Sequence, residues 1–109
     1  MTDKGEFVVI WEFRVSAQQK ERFEAAYGPQ GAWAALFSQS NDFLRTDLVC
    51  DFQDPLRFLT LDFWTSRQAY ESFRQQHAAE YKSIDQHCEA MTDSEREVGR
   101  FVRPGESGG

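Results

Sequence analysis

The strongest constraint on this chain is a change of hydrophobic period along its length. Apolar side chains recur at every second position over residues 7–15, then at helical spacing, then at every second position again over 43–52 and 57–64, and finally at helical spacing towards residue 90. A period of two is what a half-covered strand requires, and a period of about 3.6 is what an amphipathic helix requires. In the first strand Phe7, Val9, Trp11, Phe13 and Val15 share one face, while Val8, Ile10, Glu12 and Arg14 share the other. The second face is mixed, so both faces are expected to be at least partly covered.

Local signals punctuate these segments. Ser16, with Gln19 three positions on, forms a capping-box pattern ahead of a helix that buries Phe23, Ala26 and Tyr27 and ends at Gly28-Pro29. A second short helix from Pro29 to about Phe37 carries Trp33, Leu36 and Phe37 on one side, and polar residues 38–42 follow as a loop. The second strand places Leu44, Thr46, Leu48, Cys50 and Phe52 opposite Phe43, Arg45, Asp47, Val49 and Asp51. Asp54-Pro55 turns the chain into a third strand, with Arg57, Leu59, Leu61 and Phe63 opposite Phe58, Thr60, Asp62 and Trp64. Thr65 with Gln68 is expected to cap the next helix, whose stripe is Ala69, Tyr70, Phe73 and His77. The stripe resumes as Ala78, Tyr81, Ile84 and Cys88, with a break expected near residues 77–79, and a last strand runs from about Arg96 to Val102. The expected domain is therefore 7–103, between an N-terminal extension, 1–6, and a disordered tail, 104–109.

The order β-α-β-β-α-β is the split βαβ, an α+β ferredoxin-like arrangement with a four-stranded antiparallel sheet and helices on one face. Four strands at ~4.8 Å spacing and ~20 Å length leave roughly 400 Å² of sheet on the opposite face. That face is expected to carry either Phe7/Trp11/Phe13 or Val8/Ile10 with Phe43 and Phe58. A patch this large is rarely left in water, and a two-fold homodimer packing sheet on sheet is the simplest cover. Glu12, Arg14, Arg45, Asp47 and Asp62 are expected to pair across it.

Sixteen of 109 residues are aromatic, more than one modest core needs, which implies a roofed apolar pocket or a buried partner surface. The net charge of −6 and the scattered bases disfavour nucleic acid, whose binding needs clustered cations. No window approaches ~18 uninterrupted apolar residues, so no membrane span is expected. The N-terminus is polar and unlike a secretory leader, and a cytoplasmic address is the default. Cys50 and Cys88 read as free buried thiols, and no set of ligands at zinc spacing occurs. Neither a serine-triad context nor a phosphate-cradling glycine loop is present in the pattern.

The segments FVVIWEFRV, KERFEAAYGPQGAWAALF, FLRTDLVCD..DPLRFLTLDFWTSRQAYESF and EREVGRF together resemble the antibiotic biosynthesis monooxygenase domain over residues 7–102. The most specific piece is Phe63-Trp64 closing a strand ahead of Thr65-Ser66-Arg67-Gln68-Ala69-Tyr70. The resemblance implies a dimeric α/β barrel, a homodimer with one ligand pocket per subunit between helices and sheet. It also implies a cofactor-independent monooxygenase acting on anthrone- or quinol-like aromatics, with no cofactor. A non-catalytic ligand-binding or stress-associated module on the same fold is the rival. The haem-degrading branch of the family uses an Asn, a Trp and a His where this chain has Trp11, Phe73 and Ser83, so haem chemistry is the weakest of the three.

Oxygenation of that kind needs an apolar slot, a base tuned near neutral pH and donors for a developing oxyanion. His77, on the helical face of Tyr70 and Phe73, is one candidate base, with a hydrogen-bonded histidine at the helix break as the plain alternative. Asp62 is the second, because burial beside Trp64 raises a carboxyl's pKa; pairing with Arg14, Arg45 or Arg100 is its alternative. Trp11, Trp33, Trp64 and Phe73 are candidate walls for a planar ligand, and Tyr27, Tyr70 and Tyr81 candidate donors, each equally interpretable as core packing. His87 is expected to face solvent.

Overall fold

The computed structural model describes residues 6–104, so the expected extension and tail lie almost wholly outside the described residues. Its elements are β1 (Phe7–Arg14), α1 (Lys20–Tyr27), α2 (Ala32–Phe37), β2 (Phe43–Cys50), β3 (Arg57–Trp64), α3 (Arg67–Gln76), α4 (Ala78–Cys88) and β4 (Ser94–Val102). The sheet is antiparallel throughout, in the order β2-β3-β1-β4. Phe7, Val9 and Phe13 of β1 and Phe58 and Trp64 of β3 point to the helices and are buried with Phe23, Tyr27, Leu36, Phe37, Tyr70 and Phe73. This is the ferredoxin-like α+β fold. Among the described residues no helix is long and apolar enough to cross a membrane.

Bulges in both edge strands change the faces that simple alternation assigns. In β2 the register slips between Phe43 and Arg45, so that Phe43 pairs with Trp64 while Thr46 pairs with Asp62. One extra residue puts Phe43 and Thr46 on the same, helix-facing side. Phe43 accordingly packs on Trp64 and Phe37, at 5.3 and 5.5 Å between ring centroids. The outer face therefore carries Val8, Ile10, Leu59, Leu61 and Phe63, not Phe43 or Phe58. Val49 and Phe101 add to it and are 46% and 45% exposed, so this apolar face is open in the single chain.

The charges on that face are satisfied within the chain. Glu12 accepts from Arg57 Nε at 2.6 Å and from Arg96 at 2.5 Å, and these two guanidiniums hold its carboxyl below its ordinary range. Arg57 also donates to Asp51, Arg14 to Asp54 and Arg45 to Asp47. Asp62 is not on this face at all; it faces the helices beside Thr46.

The helix corners show which local signals act. The α3 cap is Ser66, whose hydroxyl accepts from the Ala69 amide at 3.1 Å, and not Thr65. Thr65 instead donates to Asp42 Oδ1 at 3.1 Å and ties the end of β3 to the start of β2. Ser16 makes no side-chain cap and is followed by a single 3₁₀ turn, Ala17–Gln19. Ser66→Ala should lower stability by about 1 kcal/mol in a urea titration, the usual worth of a capping hydroxyl. A loss under a few tenths would mean that water replaces the cap. At the α1–α2 corner, a Cβ on Gly31 would stand 2.3 Å from the Ala25 and Ala26 carbonyl oxygens. Only glycine lets α2 fold back that closely, and this docks Trp33 and Phe37 over the sheet.

The helical run breaks at His77, which closes α3 and opens α4. Cys88 is buried, whereas Cys50, expected to be buried, is exposed. It sits at the end of an edge strand beside the Asp54-Pro55 turn, where nothing covers it.

Candidate active site

The inward row of β3 reads Phe58, Thr60, Asp62, Trp64. Two short polar side chains between two large aromatics leave a space beneath the helices, widened by Thr46 next to Asp62 on β2. The result is a cavity of about 210 Å³ between sheet and helices. Trp11, Phe13, Thr46, Thr60 and Asp62 form its sheet side, while Tyr27, Trp33, Phe37, Arg74, Tyr81 and Asp85 come from the helices and Glu95 from β4.

Asp62 is its most distinctive group. Thr46 donates to Asp62 Oδ1 at 2.7 Å, and Thr46 itself is buried. Loss of water around the carboxylate pushes its pKa up to about 6, against the stabilising hydrogen bond from Thr46. No guanidinium pairs with it: Arg14 and Arg45 are engaged on Asp54 and Asp47, and Arg100 on Glu97. A carboxylate poised this close to neutrality, with its Oδ1 held by Thr46, is able to accept a proton from a ligand.

The remaining lining supplies flat apolar surface and neutral donors. Burial raises the Tyr27 and Tyr81 phenols well above their ordinary range, so both keep their protons. Arg74 lies 3.8 Å above the Tyr81 ring and donates to the Tyr70 hydroxyl at 2.8 Å. Trp33 Nε1 is buried beside the Tyr27 hydroxyl but makes no hydrogen bond of acceptable geometry.

Of the residues singled out in the sequence, Asp62, Trp11, Tyr27, Trp33 and Tyr81 meet in this cavity. Trp64, Tyr70 and Phe73 do not line it. Trp64 is fully buried, with Phe37, Phe43, Tyr70 and Phe73 around it at 5.2–5.6 Å, and acts as the hub of the core. His77 also lies outside the cavity. Its ring stacks on Phe73 at 4.5 Å, its Nδ1 is 2.9 Å from Glu80 Oε1, and it borders a separate polar hollow of about 380 Å³ with Ser66, Ser72 and Gln76. His87 is exposed. The sequence reading passed over Thr46, Thr60, Arg74, Asp85 and Glu95. The signal for Thr60 was its place between Phe58 and Asp62 on β3, and for Thr46 its place between Leu44 and Leu48 on β2. Among the described residues no three metal-ligating side chains converge.

The fold is thus a ferredoxin-like sheet roofed by helices over an aromatic cavity that holds one poised carboxylate. The sequence pattern of the antibiotic biosynthesis monooxygenase family matches residues 6–82, and the chain belongs to that family. Solved structures agree on the fold. SnoaB from Streptomyces nogalater, described as a cofactor-independent oxygenase, is 17% identical, with a TM-score of 0.67 over 93% of this chain and 95% of its own. A protein from Bordetella bronchiseptica is also 17% identical, with a TM-score of 0.74 over 94% and 100%. PA3566 from Pseudomonas aeruginosa is 16% identical, with a TM-score of 0.67 over 96% and 100%. Comparison with curated protein sequences gives no significant match.

Proposed function

We propose that this protein is a cofactor-independent monooxygenase of small, electron-rich planar aromatics of the quinol or anthrone type, and that it works as a homodimer. The observation that carries this reading is the Asp62 carboxylate, poised near neutrality and facing a cavity walled by Trp11, Tyr27, Trp33 and Tyr81. Family membership and the likeness of fold to SnoaB support it.

In this mechanism the ligand stacks among the aromatic walls with its acidic C–H or O–H towards Asp62. Asp62 takes that proton as general base, and the resulting carbanion or phenolate is electron-rich enough to reduce dioxygen by one electron. Recombination of the radical pair forms the new C–O bond as a peroxide. The proton held by Asp62 returns to the peroxide, and loss of water leaves a carbonyl. In sum an anthrone CH₂ and O₂ become C=O and H₂O, with both oxygen atoms accounted for. Tyr27 and Tyr81, kept protonated by burial, are the donors available to a developing oxyanion. Exclusion of water by the aromatic walls protects the radical pair from side reactions.

The test is oxygen uptake by the purified protein with reduced naphthoquinones and anthrones. Consumption well above the buffer rate, with one water formed per dioxygen, is expected. Uptake no faster than buffer across the panel would abandon oxygenation in favour of a binding module. The dimer reading rests on the open apolar outer face, whose charges are already paired within the chain.

A further inference from the structure

The lining of the cavity is unbalanced in charge. Asp62, Asp85 and Glu95 face a single guanidinium, Arg74, among the described lining residues. Arg74 is also committed: its plane covers the Tyr81 ring, and one of its N–H groups is given to the Tyr70 hydroxyl. Asp85 and Glu95 are the exposed members of the lining, so they stand where the cavity meets solvent, whereas Thr46 and Thr60 are buried at its floor. Desolvation at the wall and the neighbouring Asp85 and Glu89 charges push the Glu95 carboxyl upward, which marks a mouth crowded with like charge.

We propose that this cavity selects neutral or cationic aromatics of up to three fused rings and rejects anionic ones, with Asp85 and Glu95 as the specificity-determining residues. The inference rests on the cavity being the ligand site, as in the function proposed above, but not on oxygenation. Charge supplies the sign: an incoming carboxylate passes two anions and ends beside a third, and the one cation among the described lining residues, Arg74, is engaged elsewhere. Aromatic faces at Trp11, Tyr27, Trp33 and Tyr81 carry negative quadrupoles, which act in the same direction and favour a cation. Volume sets the size. An enclosed space of about 150 Å³ holds benzene and drug-sized sites begin near 300 Å³, so a space between them takes up to three fused rings.

Calorimetric titration of the intact protein at pH 8, where carboxylates are ionised, tests this with a matched set of ligands. 2-Naphthol and 2-naphthylmethylammonium are expected to bind. 6-Hydroxy-2-naphthoate, which adds a carboxylate, is expected to bind at least tenfold more weakly than either 2-naphthol or the neutral 6-hydroxy-2-naphthamide of the same shape, and 1-hydroxypyrene, which adds size, at least tenfold more weakly than 2-naphthol. In the double variant Asp85→Asn/Glu95→Gln the gap between 2-naphthol and 6-hydroxy-2-naphthoate should shrink to threefold or less. Equal affinity for 2-naphthol and 6-hydroxy-2-naphthoate in the wild type, an undiminished gap in the folded double variant, or no heat with any ligand would overturn the proposal. Charge selection without oxygen uptake on any quinol would leave it standing and remove only the oxygenase reading.

Discussion

Asp62→Asn should cost this protein most of its activity and make it more stable. As general base Asp62 is expected to contribute about 10²- to 10⁴-fold, and asparagine keeps the shape while losing the ability to take a proton. The Thr46 hydrogen bond survives, because the amide oxygen still accepts it. The wild-type kcat/KM should rise with pH and level off, with its midpoint near the Asp62 value of about 6. Stability moves the other way. The folded pKa lies above the ordinary 3.8, so between pH 4 and 6 the native state holds a proton that the unfolded chain has released. Stability therefore falls as pH rises through that window and stays lower above it. A neutral amide escapes the penalty, so the variant should gain about 2–3 kcal/mol at pH 7, or roughly 10 °C in Tm, and nothing from this group at pH 3. His77→Ala is the control, with activity expected within twofold of wild type, since its ring borders the other hollow. Activity of Asp62→Asn within threefold of wild type would place the base elsewhere.

Where the sequence was legible, one physical rule dominated. The alternation in β1 and β3 is set by a core on one side of a regular strand, so Phe58, Thr60, Asp62 and Trp64 could be placed on one face by period alone. In β2 the period fails because a bulge adds a residue, and nothing in Phe43-Leu44-Arg45 announces it; Phe43 moves inward with Trp64 as a consequence. The α3 cap was expected at Thr65, but Asp42 across the sheet draws the Thr65 hydroxyl sideways and the adjacent Ser66 caps instead. Site residues divide in the same way. Asp62 was visible as an acid in an apolar row, but whether an aromatic lines a void or fills the core depends on how the helices meet the sheet. Trp64 and Tyr70 fill, whereas Trp11 and Tyr81 line. Nothing in the sequence joins Asp85 to Glu95, since their meeting at one mouth is a tertiary event.

Leu61→Glu should convert a dimer into a well-folded monomer. Leu61 pairs with Ile10 on one side and Asp47 on the other, at the middle of the outer face, with Val8, Leu59 and Phe63 nearby. In a single chain that position is half-exposed, so a glutamate there reaches water and costs only about 1 kcal/mol of stability, mainly through the Asp47 carboxylate directly opposite. In a two-fold sheet-on-sheet dimer each substitution is made twice across the axis, and two carboxylates enter a layer with no cation to spare. Arg45, opposite Phe63 on the neighbouring strand, is already held by Asp47 and lies 4.0 Å above the Phe63 ring. Desolvating two unpaired charges costs at least about 4 kcal/mol, a thousandfold or more in dimer affinity. Sedimentation velocity at micromolar concentration should give a dimer for the wild type and a monomer for Leu61→Glu, with circular dichroism spectra that superimpose. The isosteric Leu61→Met should remain a dimer, which separates the charge from a packing defect. A wild type already monomeric at that concentration would mean that this face meets something other than a second copy.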